Sequence, residues 1–334
     1  MKVRDVGEFG LIAILANMIS DHPHAGDLQF ELRLGVGDDA AAWQLGDVTE
    51  LITTDTMVEN VHFSHSYTSW EDLGWKSIVV NMSDIASMGA IPIYALVTLG
   101  LRHDADVEDI KSMYYGMLHA CRKFGCQIIG GDVVNSPVTF VTIAMTGYTR
   151  SGVLTRNSVR PGDVVAVTGY LGSSAGGLRL LQGGYDESNA GHIELVKNHN
   201  NPLPKIRDGG ILASNGVRSA MDISDGLVGD LSKMCLRSGV GAVLRTKDVP
   251  MGKSLRREFS QDCLNLALYG GEDYEILFTG PVDLVSKLLP QLSPGASILG
   301  EIIVDVPGRI MLEDSTKNRV EVIKENGWDH FINA

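Results

Sequence analysis

Residues 69–90 read SWEDLGWKSIVVNMSDIASMGA, and this stretch decides how the rest of the chain is read. Trp75, Ile78, Val79, Met82, Ile85 and Ala86 recur at the spacing of one helix face, which predicts an amphipathic helix over 70–88. Ser69 and Asp72 have the spacing of an N-terminal capping box, and Gly89 is a stop. Asp84 falls inside this helix, seven residues beyond Ser77 and three beyond Asn81, in a stripe that contains no balancing cation. A carboxylate there asks for a partner, although a solvated helix face would also accept it.

Outward from this helix, 48–55, 126–132 and 138–148 read as strands, being short, β-branched and bounded by glycine, proline or polar residues. A second helix is predicted over 107–124, directly before the strand that starts at Cys126. Strands, helix, helix and returning strands imply an α+β architecture of mixed or antiparallel sheets with packed helices. Around 150–161 the sequence TRSGVLTRNSVRPGD carries three arginines and a Pro-Gly turn, a domain boundary by composition. The expected domains are 1–150 and 151–334. The second opens on the strand DVVAVTG and continues with helices over 173–182 and 225–238 and strands near 274–279 and 297–304.

With 334 residues, 44% of them hydrophobic, the chain can bury sizeable cores without staples. Its four cysteines, Cys121, Cys126, Cys235 and Cys263, include no C-x-x-C pair, so neither a disulfide framework nor a thiolate zinc site is indicated. No apolar run reaches the length of a membrane span, and MKVRDVGEFG lacks a basic region followed by an apolar stretch. The expected location is therefore the cytoplasm. Lys plus Arg number 28 against 41 Asp plus Glu, a net charge of −13, which would repel nucleic acid.

The acids are not evenly spread. Apolar runs end in small or hydroxylated residues and then aspartate in LGVGDDA, LITTDT, VVNMSDI, QIIGGDV and SAMDISDG, giving Asp38, Asp39, Asp55, Asp84, Asp132, Asp222 and Asp225. No lysine or arginine stands nearby to pair with them. Single aspartates of this kind cap turns and helices, as Asp225 would for a helix beginning at Gly226, but capping does not call for a doublet such as Asp38–Asp39. Magnesium fits the set, because it takes carboxylate oxygens and binds nucleotide phosphates alongside one or two protein acids per ion. The absence of histidine from these motifs favours it over zinc or iron.

Other chemistries have weaker support. There is no G-x-S-x-G elbow, no H-E-x-x-H, no G-x-x-x-x-G-K-[ST] loop and no protein-kinase motif set. The pairs His22–His24 and His62–His65 could touch a metal, but short polar loops and chance account for them. The turn GYLGSSAGG could cradle a phosphate on backbone N–H groups at a helix start, although a lone glycine-rich turn is more often only a turn.

Six co-linear motifs, GDDAA at 37–41, TTDTMVENVHF at 53–63, VNMSDIASMGA at 80–90, GGD at 130–132, DISDGL at 222–227 and GGEDYE at 270–275, resemble those of the thiamine-monophosphate kinases. The resemblance extends to GEFGLIA at 7–13 and GWDHF at 327–331. The wider superfamily is similar to aminoimidazole ribonucleotide synthetase, with two α+β domains and ATP binding without a Walker loop. The resemblance implies that Asp39, Thr53, Thr54, Asp55, Asp84, Asp132, Asp222 and Asp225 hold several magnesium ions. It implies that Gly131, Asp132, Arg156 and Ser224 contact ATP, with Tyr114 or Tyr115 against the adenine. His62, Glu272 and Trp328 would face thiamine monophosphate, and a homodimer is implied as well. Asn60 stands where a glycine is common and Ser87 where alanine is common, which leaves the ligand set intact but bears on the loop near His62.

The implied acceptor is already an anion and needs no general base, so no catalytic acid, base or covalent nucleophile is expected. Charge repulsion between acceptor and triphosphate is the obstacle, and metal-assisted in-line transfer meets it. The hydrogenase-maturation relatives resemble chains ending in a reactive cysteine, whereas this one ends FINA; selenophosphate synthetases resemble chains with an N-terminal cysteine or selenocysteine, whereas the first cysteine here is Cys121. A non-catalytic divalent-ion or nucleotide-binding regulator would keep the acids and lose turnover.

Overall fold

The computed structural model describes residues 2–21 and 30–322. Its first part runs α1 (Gly7–Asp21), β1 (Glu31–Leu34), β2 (Ala41–Leu45), β3 (Val48–Val58), α2 (Trp70–Ser87), β4 (Ile91–Leu101), α3 (Val107–Phe124), β5 (Gln127–Asn135) and β6 (Phe140–Thr149). The strands form one sheet in the order β1-β2-β3-β6-β4-β5, antiparallel except for the β4–β5 pair. The second part runs β7 (Val164–Val167), α4 (Ser173–Gly183), α5 (Ala190–Asn200), α6 (Ile206–Ser214), β8 (Ser219–Asp222), α7 (Leu227–Ser238), β9 (Gly241–Arg245), α8 (Lys253–Glu258), α9 (Cys263–Tyr269), β10 (Ile276–Gly280), α10 (Val282–Leu288), β11 (Ser297–Ile303), β12 (Ile310–Glu313) and β13 (Arg319–Glu321). Its sheet is ordered β13-β12-β9-β11-β7-β10-β8, antiparallel except for β12–β9. Both sheets are mixed and carry packed helices, the α+β class that the pattern of elements predicts.

Alternation explains how the first sheet is covered. On β6, Val141, Ile143 and Met145 are fully buried, and on β4, Ala95, Val97 and Leu99 face the same core as Ile78, Met82 and Ile85 of α2. The opposite face is left open, with Ile52, Tyr94 and Leu96 exposed. β4 is absent from the sequence reading. Its near-continuous apolar run, IPIYALVTLGL, was the available signal, with Pro92 and Gly100 inside it working against a strand.

The expected capping of α2 is present: Ser69 Oγ accepts from Asp72 N at 3.1 Å and donates to Asp72 Oδ2 at 2.7 Å. Behind α2, α3 approaches backbone to backbone. A Cβ on Gly116 would stand 1.9 Å from the Glu71 carbonyl oxygen, and one on Gly74 would stand 1.8 Å from that of Met113. Gly116→Ala must therefore push the helices apart. It is expected to destabilise by about 1–3 kcal/mol or more, read as a lower midpoint of thermal unfolding. An unchanged midpoint would show that the helices do not pack this closely.

Candidate active site

Three buried or half-buried carboxylates from distant parts of the chain converge. Asp39 follows β1, Asp84 lies in the last turns of α2, and Asp222 ends β8; one oxygen from each lies within 4.8 Å of the others. α2 is the pivot, because it packs against β3 of the first sheet on one side and against β8 and α6 of the second part on the other. Asp55 joins from β3, whose alternation turns Leu51, Thr53, Asp55 and Met57 inward. Thr53 Oγ1 donates to Asp84 Oδ2 at 2.6 Å and also lies 3.0 Å from the Asp39 carbonyl oxygen. Asn81 accepts from Asp55 N, Ser83 Oγ donates to Asp222 Oδ2 at 2.8 Å, and Ser87 Oγ donates to Asp39 Oδ2 at 2.5 Å. The polar stripe of α2 thus carries Asp84 and reaches three more acids, Asp55 through its backbone N and Asp222 and Asp39 through their carboxylates.

Crowding shows in the acidities. Burial, with the charge of Asp39, pushes Asp38 up to about 6; burial, with Asp39 and Asp225, pushes Asp55 up to about 6. Asp84, surrounded by Asp55, Asp222 and Asp39, and Asp222, facing Asp39 and Asp230, are driven above the ordinary carboxylate range by burial first and these like charges second.

The acids are not without protein cations, contrary to the sequence reading. Arg156 donates through Nε and Nη2 to Asp39 Oδ1, while its backbone N donates to Asp38. Lys233 pairs with both Asp225 and Asp230. These partners escape a local reading because Arg156 lies 117 residues from Asp39 and Lys233 lies two turns along the helix after Asp225. Phe9, in the GEFGLIA segment of α1, places its ring 5.1 Å from Lys233 Nζ. Asp225 does not cap α7 either. Asp230 Oδ2 takes the amides of Ser224, Asp225 and Gly226, which leaves the Asp225 side chain outside the cap.

The segment 271–275 runs beside these acids. Glu272 N donates to Ser224 O and Tyr274 N to Ile223 O, with Glu272 and Tyr274 both in the left-handed region at φ 65° and 50°. Neighbouring side chains point apart. Glu272 meets Lys76 of α2 and His199 of α5, whereas Asp273 accepts from Gly172 N at 2.6 Å and Ser174 N at 3.1 Å. The phosphate-cradle reading of GYLGSSAGG is thereby overturned, since an internal carboxylate already fills its amides. Burial pushes Asp273 up to about 7.

Of the other expected site residues, Ser224 lies in the Asp222–Asp225 turn and His62 lies near Glu272, its Nδ1 accepting from Val58 N at 3.1 Å. Asn60, at φ 63°, is in the conformation that glycine favours and asparagine tolerates, so this departure preserves the turn before His62. Thr54 is exposed on the opposite face of β3 from Thr53 and Asp55. Gly131 and Asp132 are exposed on edge strand β5, three strands from β3 and so roughly 14 Å across the sheet. The structure does not bring these three into the cluster. Tyr114 is half-buried against the first core and Tyr115 is 66% exposed. Trp328 and the His22–His24 pair lie outside the described residues. His65 stacks on Trp70 with centroids 4.1 Å apart. Lys76, His199, Asp230, Lys233 and Asp273 were missed; a lysine inside an apolar helical stripe was the one local signal among them.

The AIR synthase related protein N-terminal domain matches residues 37–149, and the corresponding C-terminal domain matches 160–305. A thiamine-monophosphate kinase of Aquifex aeolicus is 31% identical over 334 residues, spanning 99% of this chain and 100% of its own. Those of Escherichia coli K12 and Bacillus subtilis are each 32% identical, spanning 97% and 89% of this chain and 98% and 93% of theirs. Among solved structures, AaThiL complexed with AMPPCP and TMP superposes with a TM-score of 0.86 at 29% identity over 99% of both chains. The hydrogenase maturation protein HypE in complex with ATP, at 19% identity and a TM-score of 0.66, shares the fold.

Proposed function

We propose that this chain, which belongs to the thiamine-monophosphate kinase family, transfers the γ-phosphoryl group of ATP to thiamine monophosphate, giving thiamine diphosphate and ADP. The observation that carries the reading beyond kinship is the set of carboxylates of Asp39, Asp84 and Asp222, gathered from both halves of the chain within 4.8 Å. The donor set is all oxygen, with no histidine or thiolate, and it concentrates negative charge in a buried place; both properties fit magnesium. Asp39, Asp55, Asp84, Asp222 and Asp225 would hold the ions, with Thr53 ordering Asp84. When bound, magnesium supplies charge neutralisation between the two phosphate groups. Arg156 and Ser224 lie beside the acids, where they can bind the triphosphate. Arg156 would exchange Asp39 for a phosphate oxygen, a pairing that suits its planar fork. Glu272 and His62 form the acceptor side, and Trp328 is assigned there on the motif match.

Thr54, Gly131, Asp132 and Tyr114 retain their roles in this proposal on the motif match alone. Homodimerisation is supported by the sheet face on which Ile52, Tyr94 and Leu96 are exposed, and by the edge of β5, unpaired among the described residues, with Ile129, Val133 and Val134 exposed. We place the domain boundary after residue 150. A cytoplasmic location agrees with four free thiols, two of which, Cys121 and Cys126, lie side by side without a disulfide. No helix among the described residues is long and apolar enough to cross a membrane.

The test is turnover: the protein with ATP and magnesium should form thiamine diphosphate and ADP in equal amounts. Formation of aminoimidazole ribonucleotide with none of the diphosphate would reject the assignment. Transfer should also be direct, since among the described residues no histidine or cysteine joins the Asp39, Asp84 and Asp222 cluster. Protein incubated with γ-labelled ATP alone should remain unlabelled, and stable label that chases into product would refute direct transfer.

A further inference from the structure

Eight residues before Asp84 on α2, Lys76 is only 3% exposed, an unusual place for a lysine. Its Nζ lies 2.9 Å from Glu272 Oε1. The other carboxylate oxygen of Glu272 lies 3.5 Å from His199 Nδ1, and His199 in turn contacts Ser174 Oγ at 3.0 Å. Burial, then the Lys76 charge, presses His199 down to about 4, so it is a neutral imidazole in this place. Burial acts to raise Glu272, but the Lys76 ammonium, with His199 and His62 behind it, carries it below the usual range. Lys76 and His199 are each 3% exposed, whereas the Glu272 side chain is 29% exposed. The cation and imidazole are thus buried on the protein side of the carboxylate, while the Glu272 side chain keeps a partly exposed surface. The backbone cooperates, because Glu272 sits at φ 65° with its N–H fixed to Ser224 O at 2.8 Å.

We propose that Lys76 is a positioning residue for the acceptor: it holds the Glu272 carboxylate with its partly exposed side toward the cationic thiazolium of thiamine monophosphate, and His199 steadies the second oxygen. The inference rests on the acceptor reading given under the proposed function. Without Lys76, Glu272 would lose the full charge 2.9 Å from its Oε1 and its fixed direction, so the deficit belongs to the acceptor and not to ATP.

The test is a cycle of Lys76→Met, Glu272→Gln and the double variant, with KM for each substrate and a melting curve for each protein. Methionine keeps the stem of Lys76 without its charge. Lys76→Met should raise KM for thiamine monophosphate by about tenfold, while KM for ATP changes less than twofold. The double variant, which leaves no unpaired buried charge, should match Glu272→Gln alone in acceptor KM. If Lys76→Met fails to fold, that comparison still decides: equal acceptor KM values support the positioning role, and a further rise in the double variant overturns it. An unchanged acceptor KM in Lys76→Met, or equal losses for both substrates, also overturns it while the kinase reading stands. A wild-type protein that does not turn over thiamine monophosphate overturns the acceptor reading and the proposal together.

Discussion

Asp84→Asn is expected to lower kcat by about 10²–10³-fold or more while leaving the metal-free fold as stable as the wild type or more so. The two halves of this expectation have one cause. Asp84 lies between Asp39 and Asp222 and beside Asp55, a crowding of like charges that a bound proton or a polyvalent cation relieves. Asparagine keeps the oxygen that Thr53 Oγ1 donates to and removes a buried like charge, so folding should not suffer. Charge compensation at the transferring phosphoryl group should suffer. The comparison variant is Ser87→Ala, which removes one donor to Asp39 and leaves every carboxylate in place. It is expected to lower activity by about tenfold or less. Steady-state kinetics with thermal melts of the three proteins test this; an Asp84→Asn enzyme of normal kcat would remove the residue from the reaction.

The sequence exposed the parts of this site that depend on local pattern. Asp84 stood out because a carboxylate interrupts an apolar helical stripe, and the same stripe predicts α2, which packs as read. What stayed hidden depends on contacts between distant residues. Arg156 meets Asp39 only because the linker after β6 returns over the loop after β1. The capping of α7 by Asp230 in place of Asp225, and the filling of the Gly172–Ser174 amides by Asp273, are each a choice between two nearby carboxylates, and periodicity cannot make that choice. β4 was passed over for a different reason. Its apolar run does not by itself separate strand from buried helix, proline and glycine inside an eleven-residue central strand contradict strand propensity, and burial between β6 and β5 outweighs that preference. Lys76 stands beside the apolar stripe of α2, and its partner Glu272 lies far along the chain, so local spacing does not reveal the pair.

Without divalent ions the protein should lose stability as pH rises from about 6.5 to 8, and magnesium with ATP should restore it. Asp38 and Asp55 are raised from 3.8 to about 6, Asp273 to about 7, and Asp84 and Asp222 well above 3.8. A raised folded-state pKa means that the folded protein binds more protons than the unfolded chain between the two values. Stability from these acids is therefore full below the unfolded value and falls as pH rises through the folded one. His199 works the other way, because its value drops from 6.5 to about 4, so its contribution grows with pH until 6.5 and is constant above. The loss from Asp38 and Asp55 is largely complete by 6.5 and is masked there by the rise from His199, so the decline should be plainest above 6.5, where Asp273, at about 7, is still titrating. On the proposed function, magnesium with ATP would bind the folded protein and replace the missing protons as counter-charge. At about 100 times the dissociation constant it adds about 2.7 kcal/mol, or about 5 °C in melting temperature. Melting curves in chelator from pH 6 to 8.5, repeated with magnesium and ATP, make the comparison. A metal-free protein whose melting temperature climbs across that range would show that the acids are already neutralised within the chain, by Arg156 and Lys233, and that the carboxylate cluster does not wait for a cation.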